Sequence, residues 1–273
     1  MMHLKSINFA KFSSIKIGTV LDVFVLTKDS YPKQECYLIG SCNNILMGTQ
    51  PPPLMILSKE FSYIKIQNNK LLIGAATPSG KIASFCKKNN IANFEFLSHL
   101  PGTLGGLVKM NAGLKEYEIF NNLISIQCTD KMLKKEQIKY GYRYTNISTP
   151  ILEATFEIEH GYDEKKVQMF QKMRANQPST PSAGSCFKNP EGNFAGKLIE
   201  DVGLKGVLYG DMCFSQEHAN FLVNNGNGTF EDAITLIQEA QKRVYKMFNI
   251  WLECEIVILD TRYMGANSGL TPE

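Results

Sequence analysis

Little in the 273 residues points to a chain held together by disulfides or metal. Seven cysteines is an odd number. No two of Cys36, Cys42, Cys86, Cys128, Cys186, Cys213 and Cys254 stand in a CxxC spacing, which argues against a disulfide framework and against a zinc ribbon. The four histidines, His3, His99, His160 and His218, form no HxxxH pair, so no metal is expected. No run approaches the ~20 apolar residues that span a bilayer, and the opening MMHLKSINFAKFSS lacks the apolar stretch of a signal peptide. A cytoplasmic protein without a membrane partner is therefore expected. The net charge is only +3, and the densest basic group, Lys131, Lys134 and Lys135, is too narrow for a nucleic-acid footprint. There is no internal repeat and no low-complexity tract.

What is present fits a globular enzyme. The chain is 44% hydrophobic and 20% charged, near ordinary values, and is long enough for about two domains of ~100–200 residues. Alternating apolar residues in Ile15–Leu26 and Leu54–Ile56 predict strands of a βαβ-type start, separated by the turn-rich Gly40–Asn44 and by Pro51–Pro53. Ser79 is expected to cap a helix through Lys88 with Ile82, Ala83, Phe85 and Cys86 inward. Strands are expected at Leu123–Gln127 and Ile151–Glu159. From Asp163 the period lengthens toward 3.6, with Val167, Phe170 and Met173 on one face. Ala195, Leu198, Ile199 and Val202 form a helical stripe stopped by Gly203. A capping box at Thr229 and Asp232 opens a helix with Ala233, Leu236, Ile237, Ala240, Val244 and Met247 inward. A last strand is expected over Ile250–Asp260.

Five segments carry candidate chemistry. LIGSCNNILM, from Leu38, breaks from a strand into small polar residues whose N–H groups suit an anion, although an ordinary loop fits as well. In LPGTLGGLVKMNAG, from Leu100, Gly102, Gly105 and Gly106 permit close backbone approach, and the N–H groups around Thr103 could meet a pyrophosphate where a helix begins. Neither segment is the GxGxxG of a Rossmann site. In PSAGSCFKNP, Ser185 lies in a turn-rich loop, but Phe187 and Lys188 follow where a GxSxG elbow needs its second glycine, so the nucleophile reading is poor. In WLECEIVIL, strand alternation sets Glu255 on a face with Trp251, Glu253, Val257 and Leu259. Burial there would raise its pKa and make it a proton donor, whereas a solvent-facing edge glutamate suits Glu253 at least as well. In KYGYRYTNI, Arg143 lies between Tyr142 and Tyr144, either as a surface stack or as a fork for a carboxylate.

In this order the segments resemble the UDP-N-acetylenolpyruvoylglucosamine reductase family of bacterial peptidoglycan synthesis. The match runs from FSSIKIG at Phe12 through LPGTLGGLVKMNAG, GYRYT, SAGSCFKNP, LIEDVGLKG at Leu198 and HANFLVNNGNGT at His218 to LECEIVIL at Leu252. The resemblance implies an α+β fold with an FAD-binding region of the vanillyl-alcohol-oxidase type, residues 1–165 in two α+β lobes. It also implies a C-terminal α+β substrate-binding domain, residues 166–273, whose last strand, 250–260, returns toward the active site. The implied activity is NADPH-dependent reduction of a nucleotide sugar through FAD by a monomer without bound metal. Gly40, Ser41, Cys42, Asn43 and Asn44, with Pro101, Gly102, Thr103, Gly105 and Gly106, would hold the cofactor pyrophosphate, and Asn111, Ala112 and Gly113 would border the cofactor. Ser185 would be the general acid, Arg143 the fixed cation and Glu255 the assisting donor, with Tyr142, Lys188, Asn189 and His218 on the substrate. The short interval between Arg143 and Ser185 leaves no room for a long substrate-capping insertion, which implies the shorter subgroup.

The sequence departs from the family pattern in the first loop, where only Gly40 of a usual glycine triplet is present, and at Leu114–Lys115, where a tyrosine–glycine pair is usual. The Thr261–Glu273 tail matches no family motif. Rival readings are another FAD-dependent oxidase or dehydrogenase of that superfamily, which would need a base rather than a proton donor, and a non-catalytic nucleotide-sugar binder.

Overall fold

The structure, a computed structural model, describes residues 3–32 and 35–264, so the tail beyond residue 264 lies outside the described residues. It is an α+β protein whose contacts divide the chain into two units. The first holds Phe24–Ser41 and Met55–Ala175; the second holds Leu4–Val23, Cys42–Leu54 and the chain from Asn176. A single cut between residues 165 and 166 does not describe this division. The reason is strand pairing: Ile45–Met47 lies parallel to Val257–Leu259, which ties an N-terminal strand into the C-terminal unit.

The first unit is built on a five-stranded antiparallel sheet. Its order is Met132–Lys134, Leu123–Cys128, Ile151–Glu157, Lys70–Gly74 and Ile64–Gln67. Leu71 and Ile73, and likewise Ala154 and Phe156, are fully buried at alternate positions, as the period of two requires. Asn68 and Asn69 close the hairpin with φ of 50° and 55°, the left-handed pair of a two-residue turn. The helices Ser79–Lys88, Leu104–Lys109 and Glu164–Met173 bury Ile82, Ala83, Cys86, Leu107 and Phe170 in the same core. There Phe94 meets Phe156 edge-on at 5.3 Å, and Phe170 meets Tyr117 at 5.0 Å.

The second unit pairs Ser182–Ser185, Phe221–Asn224, Met212–Phe214 and Leu208–Tyr209 in an antiparallel sheet. The helices Ala195–Asp201 and Phe230–Phe248 contribute to its core. The second helix starts at the expected box: Asp232 N–H donates to Thr229 Oγ1 at 3.1 Å and Thr229 N–H to Asp232 Oδ2 at 3.0 Å. It ends at Asn249, in the left-handed region at φ 55°.

Several expectations are corrected. No helix links Val20–Leu26 to the parallel strand Leu54–Leu57, so the start is not βαβ; the intervening chain forms Tyr37–Leu38 and Ile45–Met47 instead. Residues 15–19 precede the strand, with Ile15 and Ile17 buried in the second unit's core. Pro78, not Ser79, occupies the cap position, because its extended backbone ends where the helix begins. Met247 is 61% exposed, since the last turn of its helix runs past the core. The final strand is only Val257–Leu259. Residues 251–256 run irregularly before it, so two-residue alternation does not govern the face of Glu255.

Asp260, directly after that strand, is fully buried and accepts from five N–H groups. They are Arg262 Nε at 2.7 Å, Nη2 at 2.8 Å and N at 3.1 Å, and the N–H groups of Thr49 and Gln50 at 3.0 Å each. The Arg262 hydrogen bonds, aided by those backbone donors, hold its carboxyl well below the usual carboxylate range. A folded-state pKa depressed in this way gives stability that is complete above the unfolded value, ~3.9, and is lost as pH falls below it. Asp260→Asn is expected to cost about 3 kcal/mol at neutral pH in denaturant unfolding. The deficit should shrink below pH ~4, where the wild type loses the same interaction; a deficit unchanged by acid would contradict this assignment.

Candidate active site

In the first unit the two glycine-containing loops meet. An ideal Cβ on Gly40 would lie 2.7 Å from Thr103 Oγ1, closer than real Cβ contacts, so the absent side chain lets the loops touch. The start of Leu104–Lys109 is partly spent within the protein. Leu104 N–H donates to Thr77 O and Gly105 N–H to Ala75 O, both at 2.9 Å. Gly102 O accepts from Ser79 N–H at 2.9 Å. The anion reading of the segment therefore narrows from its whole N-terminus to Thr103 and the exposed Gly106.

Asn111 ends the segment fully buried, with φ 46°. Its Nδ2 donates to Glu118 Oε2 at 2.7 Å and to Gly141 O at 3.0 Å, while its Oδ1 has no partner. Ala112 is buried, and Gly113 O accepts from Arg143 Nη2 at 2.9 Å. Arg143 forms a two-residue turn with Tyr142, between the short strands Tyr140–Gly141 and Tyr144–Thr145. Its φ of 54° is a conformation that an arginine adopts at some cost, which makes the residue a candidate for function. The guanidinium carbon lies 5.0 Å from the Tyr142 ring centroid. Arg174, just after Glu164–Met173, is a second guanidinium that no motif announced; burial, and then the charge of Arg143, lower its pKa.

In the second unit the residue after Ser185, Cys186, is tied by its backbone to Glu255. Cys186 O accepts from Glu255 N–H at 2.8 Å and Ile256 N–H at 3.3 Å, and Lys188 N–H donates to Glu253 O at 2.9 Å. Asn220 holds the other edge: its O accepts from Cys186 N–H at 2.6 Å, its Oδ1 from Phe187 N–H at 3.0 Å, and its Nδ2 donates to Phe187 O at 2.8 Å. Asn44 joins the same place, donating through Nδ2 to Glu255 O at 2.9 Å. Asn43 is half-buried. Ser185 and Glu255 are both half-buried, and among the described residues no group hydrogen-bonds the Ser185 hydroxyl.

Burial raises the Cys186 thiol well above its usual range and pushes Cys254 up to about 12, so neither neighbour is a thiolate nucleophile. Cys42, also buried and raised to about 12, is equally inert and sits at φ 51° where the family pattern favours glycine.

The remaining candidates already have structural partners. Lys188 Nζ pairs with Glu253 Oε1 at 2.5 Å, and Asn189 Oδ1 accepts from Ala195 N–H at 3.0 Å at the start of a helix. His218 Nδ1 accepts from Asn220 N–H at 3.2 Å, which leaves the proton on Nε2, and burial lowers its pKa, favouring the neutral ring. Asn220 and Glu118 were not singled out by sequence. HANFLVN contains the first, but nothing local reveals that its amide clamps a strand 33 residues away. Among the described residues, no group of three or more His, Cys, Asp or Glu could hold a metal, and no helix is long and apolar enough to cross a membrane.

Residues 176–259 match the family model of the UDP-N-acetylenolpyruvoylglucosamine reductase C-terminal domain. The chain is 47% identical to UDP-N-acetylenolpyruvoylglucosamine reductase of Helicobacter hepaticus, over 94% of this chain and 100% of that one. It is 45% identical to that of Campylobacter jejuni, over 93% and 99%. The crystal structure of the Thermus caldophilus reductase superposes with a TM-score of 0.84 at 24% identity, covering 94% of this chain and 99% of that one, which shows a shared fold.

The meeting of the loops is testable by unfolding. Gly40→Ala should cost about 1 kcal/mol through the clash with Thr103. In a Thr103→Ala background the same change should become neutral or slightly stabilising, since Gly→Ala otherwise restricts the unfolded chain. A Gly40→Ala effect independent of residue 103 would show that the loops do not touch there.

Proposed function

The chain belongs to the UDP-N-acetylenolpyruvoylglucosamine reductase family and is an oxidoreductase, and from that premise we propose that it converts the enolpyruvyl nucleotide sugar to UDP-N-acetylmuramate with NADPH through bound FAD. The observation that supports this reading is the backbone hydrogen bond from Glu255 to Cys186, the residue after Ser185, within a region matched by the family's C-terminal model. In the reaction one C=C becomes two C–H bonds: the methylene carbon takes a hydride, and the carbon bearing the carboxylate takes a proton. FAD, when bound, would relay the hydride equivalent from NADPH to that methylene carbon.

The residues present fit such a cofactor. The Gly40 to Thr103 approach brings the two loops together, and the buried Asn111 Oδ1 lacks the donor that a ligand can supply. Gly40 and Ser41, with Thr103 and Gly106, are the proposed holders of the pyrophosphate in the first unit. Asn111–Gly113 border the flavin in this reading.

Negative charge develops on the substrate as the hydride arrives, and a preorganised cation opposes it at little reorganisation cost. Arg143, tied to Gly113 O and stacked on Tyr142, supplies that charge. Ser185 then gives its hydroxyl proton to the carbon that bears the carboxylate. The absence of a hydrogen-bonding base on its Oγ among the described residues suits a donor better than an activated nucleophile. Glu255 acts as the assisting donor, with Tyr142, Lys188, Asn189 and His218 on the nucleotide sugar. The expected setting is the cytoplasm, with the enzyme working as a monomer.

Half-reactions test the assignment. Ser185→Ala should leave flavin reduction by NADPH within about twofold of wild type and slow reoxidation by the enolpyruvyl sugar ~100–10,000-fold, the usual span of general acid catalysis. Equal losses in both, followed by stopped-flow absorbance, would make Ser185 structural.

A further inference from the structure

We propose that Glu118 is a positioning residue of the cofactor site, fixing the Asn111 amide so that its oxygen, and not its nitrogen, meets an N–H donor of the bound flavin. The inference rests on the reading that Asn111 borders FAD. An amide can turn over with almost no change of shape, so its neighbours decide which atom faces a ligand. Here both neighbours of the nitrogen are acceptors. A carboxylate oxygen of Glu118 lies at 2.7 Å and the Gly141 carbonyl at 3.0 Å, so the two N–H bonds are both used and Oδ1 is left buried without a donor. With Glu118 ionised, turning the amide over would set oxygen against two acceptors. The imide edge of an isoalloxazine carries an N–H of the kind the unpartnered oxygen requires.

The hairpin that carries Glu118 is built around this contact. Gly113 pairs with Glu118, and an ideal Cβ at Gly113 would lie 2.3 Å from Tyr117 O, 2.8 Å from Glu118 Cα and 2.9 Å from its Cγ. A side chain at residue 113 would push the carboxylate away from Asn111. Gly113 is thus required by its cross-strand neighbour, a reason distinct from ligand approach. The same glycine's carbonyl accepts from Arg143, and Gly141 leads into the Arg143 turn, so Glu118, Asn111 and the arginine hairpin form one hydrogen-bonded assembly.

Glu118 also lines a cavity of about 260 Å³ shared with Asn93, Asn122 and Glu159. Truncation there opens space onto a polar, water-fillable cavity and leaves the apolar core intact. Glu118→Ala should fold, with apo-protein melting as the check.

The test compares wild type, E118A, E118Q, N111A and E118A/N111A by FAD titration, the visible spectrum of bound flavin and apo-protein melting. E118A should weaken FAD about 10- to 100-fold, as loss of a charge-assisted hydrogen bond does, and shift the flavin absorption. E118Q, whose oxygen can still accept from Asn111, should recover most of the affinity and the spectrum. In the N111A background E118A should add no further loss, because it acts through the amide. Wild-type affinity and spectrum in E118A, additive losses in the double variant, or an E118Q as weak as E118A would each overturn the proposal. A wild-type protein that takes up no FAD would sink the cofactor reading itself, and is recognised before any variant is compared.

Discussion

The Cys186 carbonyl takes two N–H groups, from Glu255 and Ile256, while Asn220 grips the opposite edge of the same short stretch with its backbone and both ends of its amide. Segments far apart in sequence are held there by backbone hydrogen bonds, so the placement of the Ser185 hydroxyl does not depend on side-chain conformation alone. Cys186 is shut into the core and Cys254 packs half-buried against it, and burial raises both thiols.

The first unit fixes charge and polarity at two places, Arg143 and Asn111. Arg143 occupies a left-handed turn position that costs it conformational energy, and its guanidinium is tethered to Gly113 O. Asn111 presents a lone acceptor because its nitrogen is fully engaged. Both features are fixed by the protein's own hydrogen bonds. Arg174 adds a second guanidinium, which feels the charge of Arg143.

Sequence made some of this legible for identifiable reasons. The stripe at Ala195, Leu198 and Ile199 and the Thr229–Asp232 box are local signals, and both helices begin where those signals stand. Ser185, Arg143 and Glu255 are singled out in the sequence chiefly because the ordered strings around them resemble one family. The sheet order was not legible, because pairings such as Ile45–Met47 with Val257–Leu259 join residues over 200 positions apart and leave no local trace. The same blindness hid the discontinuous second unit. Alternation misled at Glu255 because the chain there is pinned by Cys186 and Asn44 rather than by a regular ladder. Asn220 and Glu118 went unnoticed since an asparagine or glutamate in a loop or short strand looks like any solvated polar residue until its partner is known.

The central claim, that this chain reduces an enolpyruvyl nucleotide sugar through a bound flavin, is tested most directly by anaerobic titration of the purified protein followed at the flavin absorption band. The account predicts bleaching on addition of NADPH and return of the oxidised band when the enolpyruvyl sugar, but not its saturated lactyl product, is added. A protein without a flavin band even after incubation with FAD, or a band that stays bleached in the presence of the enolpyruvyl sugar, would contradict it.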